Sequence, residues 1–241
     1  MTGQDPRPAI RKVAMTDALF PPERFSPAEG AVHVPGWLDL DRQRSIVEAC
    51  RGWAVGPVPM RAAVLPGGHR MSVQSVCLGW HWQPYKYTRT ADDVGGGRVA
   101  EVPEWLIGLG RDALREAYRR PDGSYAEPSY RPESYTPDTA LINYYAHGAH
   151  MGMHQDKDEK SSAPVVSLSI GDTCLFRFGN TQTRTRPYTD VELASGDLFV
   201  FGGPSRFAYH GVPRTRPGTA DPRSGLASGR INITLRMTGM H

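Results

Sequence analysis

Three cysteines in 241 residues, Cys50, Cys77 and Cys174, are too few and too far apart for a disulfide framework. Without any CxxC spacing they also exclude a zinc knuckle, so three inert thiols are expected. No run approaches the roughly 18 apolar residues that a membrane span needs, and MTGQDPRPAIRKV at the start has no apolar core of a signal peptide. The expectation is a cytoplasmic chain with no membrane partner. Charge of one sign is also scarce: a net +3 permits a polyanionic partner without arguing for one. Internal repeats are absent. What is abundant is Gly (26) and Pro (21), which points to many turns and few long helices.

Residues 1–30, rich in Pro and charge, read as a loosely attached arm, and 31–241 as a single domain. Two segments carry helical spacing. From Asp39 to Trp53, Ile46, Val47, Cys50 and Trp53 recur behind an acidic start; from Glu104 to Arg119, Trp105, Leu106, Leu109, Leu114 and Tyr118 do the same. Both predict amphipathic helices covering one side of a sheet. After Tyr135 the texture changes to ALINYY, VVSLSI, CLFRF, DVEL, DLFVF, RFAYH and RINITLRM, short strands separated by Gly and Pro. This predicts a mostly β (α+β) chain built as a sandwich or jelly roll, with its core over about 136–241. The Pro- and Gly-rich stretch from Gly211 to Gly229 reads as a long loop.

In MGMHQDKDE, His154 and Asp156 are two residues apart, so in extended chain both side chains leave on the same side. With the distant His210 they make two imidazoles and one carboxylate, the set that leaves open positions on Fe(II), whereas structural zinc takes four closed ligands. HxD with a distant His is common by chance. A rival set, His147, His150 and His154, would share a helix face, but Gly148 and Gly152 interrupt it, each costing roughly 1 kcal/mol in a helix.

The last strand adds independent weight. In RINITLRM, Ile231, Ile233, Leu235 and Met237 take one face and Arg230, Asn232, Thr234 and Arg236 the other. A polar face on an average strand is wet; turned into a barrel mouth, its arginines would need anions, and a dicarboxylate such as 2-oxoglutarate supplies them. Asn143 and Tyr145 share one face of ALINYY and would hydrogen-bond the same cosubstrate.

With these motifs in place, MSVQSVCLGW, YKY, LINYYAHG, MGMHQDKDE, APVVSLSIG, FRFGN, GDLFVFGGPSRFAYHG and RINITLR resemble, in order, the AlkB family of alkylation-repair dioxygenases over roughly residues 70 to 240. The resemblance implies a double-stranded β-helix, a cupin-like jelly roll, with a nucleotide-recognition lid at about 70–95, and Fe(II), 2-oxoglutarate and O2 as cofactor, cosubstrate and oxidant. It makes His154, Asp156 and His210 the iron ligands. Asn143, Tyr145, Arg230, Asn232 and Arg236 become the 2-oxoglutarate site, Arg230 at the distal carboxylate and Arg236 near the metal-bound end. Trp80 would stack the base, Tyr85, Lys86 and Tyr87 would guide phosphates, and Asp158 would face the exocyclic amino group.

The implied reaction is oxidative dealkylation of 1-methyladenine or 3-methylcytosine type lesions in single-stranded DNA or RNA by a monomer, releasing formaldehyde, succinate and CO2. His147, His150, Phe201 and the TQTRTRPY loop depart from the family pattern, which leaves open whether Arg184 or Arg186 touches nucleic acid. Taken without the resemblance, Arg206, Arg214, Arg216, Arg223 and Arg230 read as mostly solvated surface, and only some need touch phosphate. A related dioxygenase for a small molecule or protein, and a nucleic-acid-binding jelly roll without turnover, are the alternative readings.

Overall fold

The first helix begins where Asp39 accepts the backbone N–H of Arg42 at 2.8 Å, a capping bond worth ~1 kcal/mol. In the computed structural model, which describes residues 23–240, that helix is α1 (Leu40–Ala54) and buries Ile46, Val47 and Cys50. The second is α2 (Glu104–Tyr118), burying Leu106, Ala113, Leu114 and Ala117. Gly110 lets α2 approach closely, since a Cβ there would lie 3.0 Å from both Leu235 and Tyr135. Both helices match the sequence expectation to within a residue or two.

The strands are, in chain order, β1 (Phe25–Ala28), β2 (Ala31–Val34), β3 (Arg61–Val64), β4 (Arg70–Leu78), β5 (His81–Gln83), β6 (Lys86–Thr88), β7 (Thr90–Ala91) and β8 (Gly97–Arg98). After α2 come β9 (Thr139–Tyr145), β10 (Met151–His154), β11 (Val165–Gly171), β12 (Cys174–Phe178), β13 (Thr189–Leu193), β14 (Leu198–Phe201), β15 (His210–Thr215) and β16 (Arg230–Arg236). One sheet runs β1-β2-β14-β11-β16-β9-β4-β3 and a second runs β10-β15-β12-β13; β5 pairs with β6 and β7 with β8 outside them. Pairing is antiparallel in both large sheets, as a jelly roll requires.

The period-two pattern of β16 decides the layering. Ile231, Ile233 and Leu235 join the helices α1 and α2 in one core. Phe176, Phe178, Phe199, Phe201 and Val212 form a second core. Arg230, Asn232, Thr234 and Arg236, on the opposite face of β16, are all buried and line a cavity together with Phe176 and His210 of the smaller sheet. The polar face of this strand is therefore interior, and β16, hydrogen-bonded to β11 and β9 on its two sides, sits mid-sheet.

Several boundaries differ from the sequence reading. RFAYH is not a strand: Gly203–Ser205 is a 3-10 turn and the strand starts only at His210. The stretch from Gly211 is not all loop, because β15 extends to Thr215 and leaves 216–229 as the connection, with a 3-10 turn at Pro222–Ser224. Pro213 hides this strand, yet it is tolerated because the register shifts between Leu175↔Arg214 and Arg177↔Gly211, a bulge at which a missing N–H costs no ladder bond. Of the expected arm, residues 1–22 lie outside the described residues, while Phe25–Ala28 is β1 of the large sheet. Of the expected lid, Arg70–Leu78 is β4, paired with β3 and β9; the hairpins outside the large sheets run from β5 to β8. All three cysteines are buried and free, and no described helix is long and apolar enough to cross a membrane.

Candidate active site

β10 and β15 pair so that His154 stands opposite His210, and the ring centroids are 4.5 Å apart. Asp156 follows two residues beyond the end of β10. One ligand atom from each of the three lies within 4.8 Å of the others, and among the described residues this is the one His/Cys/Asp/Glu group of that kind. The rival His147 and His150 are exposed in a turn, not on a helix.

Each imidazole uses its Nδ1 on a backbone carbonyl, His154 with Gly152 at 2.9 Å and His210 with Ala208 at 3.0 Å. That bond fixes the tautomer with the proton on Nδ1 and leaves the Nε2 lone pair for a metal. His154 Nε2 lies 3.6 Å from Asp156 Oδ1, and His210 Nε2 lies 3.6 Å from Asp156 Oδ2. These separations are too long for hydrogen bonds and suit ligands that share an ion. Burial, opposed by Asp156, pushes the His210 imidazole down to about 4, so it is neutral at pH 7. Burial alone would raise the Asp156 carboxyl, but Arg236, His210 and His154 outweigh it and hold it below the usual carboxylate range. Asp156 Oδ2 is buried without a hydrogen bond, although the Arg236 guanidinium is 2.8 Å away; the pair attracts by charge but is not aligned to share a proton. His154 is 36% exposed against 4% for Asp156, so one side of the triad faces solvent. Phe201, one of the departures from the family pattern, packs on His210 with centroids 5.0 Å apart.

Arg230 is 1% exposed. Its Nη2 donates to Ser169 Oγ at 2.9 Å, while Nε and Nη1 have no partner. A buried guanidinium with unmatched donors costs several kcal/mol, and a carboxylate accepting from two parallel N–H groups would remove that cost. The register of β16 on β9 sets Arg230 opposite Tyr145 and Asn232 opposite Asn143. The Tyr145 hydroxyl, pushed up to about 12 by burial although Arg230 beside it opposes the shift, keeps its proton and makes a long contact to Met151 Sδ, 3.8 Å. The Asn143 carbonyl oxygen accepts from Ser75 at 2.6 Å, and the Asn232 amide donates to Ser167 at 2.8 Å.

Arg236 is shared. Its Nη1 donates to Glu159 at 2.8 Å and to the Tyr87 hydroxyl at 3.2 Å. Glu159 also accepts from Tyr87 at 2.6 Å and from Arg206 Nη2 at 3.2 Å. Arg206, only 1% exposed, donates further to the carbonyls of Asp156 and Ala163, both at 2.7 Å. It is a buried anchor under the metal ligand, not surface; Arg216 and Arg223 pair with Glu192 and Asp221. Glu159 and Arg206 are missed by sequence reasoning, although Glu159 closes the HQDKDE block. Glu159→Gln leaves two buried guanidinium groups short of charge and is expected to cost about 3–5 kcal/mol, read as a lower midpoint in urea denaturation; an unchanged midpoint would remove Glu159 from the supporting network.

The lid residues divide. Tyr85, 72% exposed at φ 71, and the exposed Lys86 form the tip of the β5–β6 hairpin. Tyr87 is instead buried with its hydroxyl on Glu159, which takes it away from phosphates. Trp80 is buried against Val58 and Leu141, with the Arg89 guanidinium 3.8 Å over its ring, so that face is not free to stack a base. Asp158 accepts from Trp82 Nε1 at 2.9 Å. Arg184 is exposed on the β12–β13 loop, 5.8 Å from the Tyr209 ring, and Arg186 is 5.9 Å from that of Tyr188.

Two imidazoles, one carboxylate and an open side are the donor set of a non-haem Fe(II) centre, and Arg230 fits the far end of a dicarboxylate. The profile of the 2OG-Fe(II) oxygenase superfamily matches residues 30–236. The fold and the site thus define a 2-oxoglutarate- and Fe(II)-dependent oxygenase, with O2 as the oxidant. Within that class, the AlkB homologue of Caulobacter vibrioides, named an alpha-ketoglutarate-dependent dioxygenase, is 36% identical over 84% of each chain. AlkB of Escherichia coli is 36% identical over 75% of this chain and 78% of its own. The chain belongs to the AlkB family. The Arabidopsis thaliana protein named DNA N(6)-methyladenine demethylase ALKBH1D is 32% identical over 86% of this chain, which spans about half, 49%, of that relative. The solved structure of OsALKBH1 superposes with a TM-score of 0.74 at 31% identity, over 89% of this chain and 100% of that one.

Proposed function

We propose that this protein oxidatively dealkylates N-alkylated nucleobases, of the 1-methyladenine or 3-methylcytosine type, in single-stranded DNA or RNA. The observation that carries the reading is the cavity in which the triad of His154, Asp156 and His210 sits beside Arg230, a guanidinium with two unmatched donors. Iron with 2-oxoglutarate and O2 supplies hydroxylation of the alkyl carbon, after which the product releases formaldehyde and leaves the base restored.

The protein supplies position and electrostatics. Arg230 takes the distal carboxylate, with the Tyr145 hydroxyl and the amides of Asn143 and Asn232 along the cosubstrate. Arg236 lies at its metal end and also steadies Asp156. A base reaches such a site only out of its stack, which favours single strands. Asp158 then faces the exocyclic amino group, and its negative charge favours the cationic lesion over the undamaged base. Tyr85, Lys86 and Arg184 are the exposed groups available to the backbone. The proposal takes the chain as a monomer in the cytoplasm, a reducing setting that suits three free thiols.

The test incubates the protein with Fe(II), 2-oxoglutarate and single-stranded oligonucleotides carrying 1-methyladenine, 3-methylcytosine or N6-methyladenine, the last suggested by the name of the Arabidopsis relative. Loss of a methyl mass with matching succinate is expected for the first two. Succinate without repair would move the substrate to a small molecule or protein, and no succinate under aerobic, reducing conditions would leave a binding module.

A further inference from the structure

We infer that Trp82 is a positioning residue that sets lesion specificity, because its indole N–H holds the Asp158 carboxylate in one orientation. The inference rests on the proposed reading of Asp158 as the group that meets the base. Trp82 Nε1 donates to Asp158 Oδ2 at 2.9 Å. Trp82 lies directly opposite Tyr87 in the β5–β6 hairpin, and Tyr87 donates to Glu159 at 2.6 Å. One cross-strand pair of the hairpin is therefore tied to two consecutive carboxylates of the chain that carries the metal ligands His154 and Asp156.

Indole N–H donates and never accepts, so it supports only an oxygen that acts as acceptor. Trp82 thereby occupies Oδ2 and fixes the orientation of the side chain. The other oxygen, Oδ1, remains to accept from a base. A carboxylate oxygen held in one direction matches the exocyclic amino group of adenine or cytosine and opposes the carbonyl oxygen that thymine presents at the same edge. If Asp158 were free to turn, that distinction would fade. Trp80 is the other indole in the segment, but it is packed in the core beneath Arg89, and its Nε1 has no partner. Trp82, half-buried, is the one that touches Asp158.

Trp82→Phe keeps the ring and removes the donor. The measurement is the ratio of kcat/KM on matched single-stranded oligonucleotides carrying 1-methyladenine and 3-methylthymine, together with 2-oxoglutarate affinity and melting temperature. The ratio is expected to fall about tenfold, with affinity and melting unchanged, and Asp158→Asn is expected to lower it without further loss in the double variant. A wild-type protein that discriminates while Trp82→Phe keeps the same ratio would overturn the inference, as would equal losses on both lesions with lowered melting. If the wild type repairs neither lesion, the proposed function fails first and the specificity role of Trp82 falls with it. Should Trp82→Phe not fold, hydrogen exchange of the Trp82 indole N–H reads the same bond: Asp158→Ala is expected to speed it, and unchanged exchange would overturn the inference.

Discussion

Asp156→Ala is expected to lower kcat/KM at least roughly a thousandfold, since a facial triad that loses its carboxylate no longer holds the metal that carries the chemistry. Affinity for single-stranded DNA should survive. Asp156 is the one anionic ligand; without it, two imidazoles are left beside the Arg236 guanidinium, whose charge repels a divalent cation. Arg236 keeps Glu159 as a partner at 2.8 Å, and Arg206 keeps the Asp156 carbonyl, a backbone group, so the fold retains its anchors. Iron content after dialysis, succinate release and oligonucleotide binding, measured on the same preparation, separate the effects. Equal loss of turnover and binding would show that Asp156 mainly supports folding.

Arg230→Met is expected to raise the 2-oxoglutarate requirement by two orders of magnitude or more, on the scale of about 3–5 kcal/mol for a buried charge-assisted pair. The sign of its effect on stability is opposite. In the protein without cosubstrate, Arg230 is buried with Nε and Nη1 unmatched, and a side chain of similar volume without charge removes that desolvation cost, so the unliganded variant should melt no lower than the wild type. Added 2-oxoglutarate should then raise the melting temperature of the wild type and leave the variant unchanged, because a ligand stabilises only the state that binds it. An unchanged 2-oxoglutarate requirement would remove Arg230 from the anion site.

Part of this site is legible in the amino-acid sequence because its cause is local. Alternation in RINITLR is a property of extended backbone, so the partition into Ile231, Ile233 and Leu235 against Arg230, Asn232, Thr234 and Arg236 holds wherever the strand is placed. The same period sets His154 and Asp156 on one side. The helices are legible for a similar reason, since each carries its apolar stripe and, for α1, its cap within fifteen residues.

Other features are set by partners distant in the chain. Arg206 reads as a surface arginine, and only its meeting with Glu159, 47 positions earlier, makes it a buried anchor. β15 is hidden by Pro213, which is harmless only because Phe176 lies across a bulge. From the amino-acid sequence Trp80 reads as the ring that meets a base. Arg89 and the core take that ring, and Trp82 is the indole that reaches Asp158.

By itself the amino-acid sequence determined the class of chemistry: the ligand types, their spacing near His154, and a strand able to present two guanidinium groups on one face. Which way that face turns, which arginine is left with unmatched donors, and which indole meets Asp158 were decided only in the tertiary structure. Periodicity is a property of one segment, whereas burial and electrostatic pairing belong to segments brought together from across the chain.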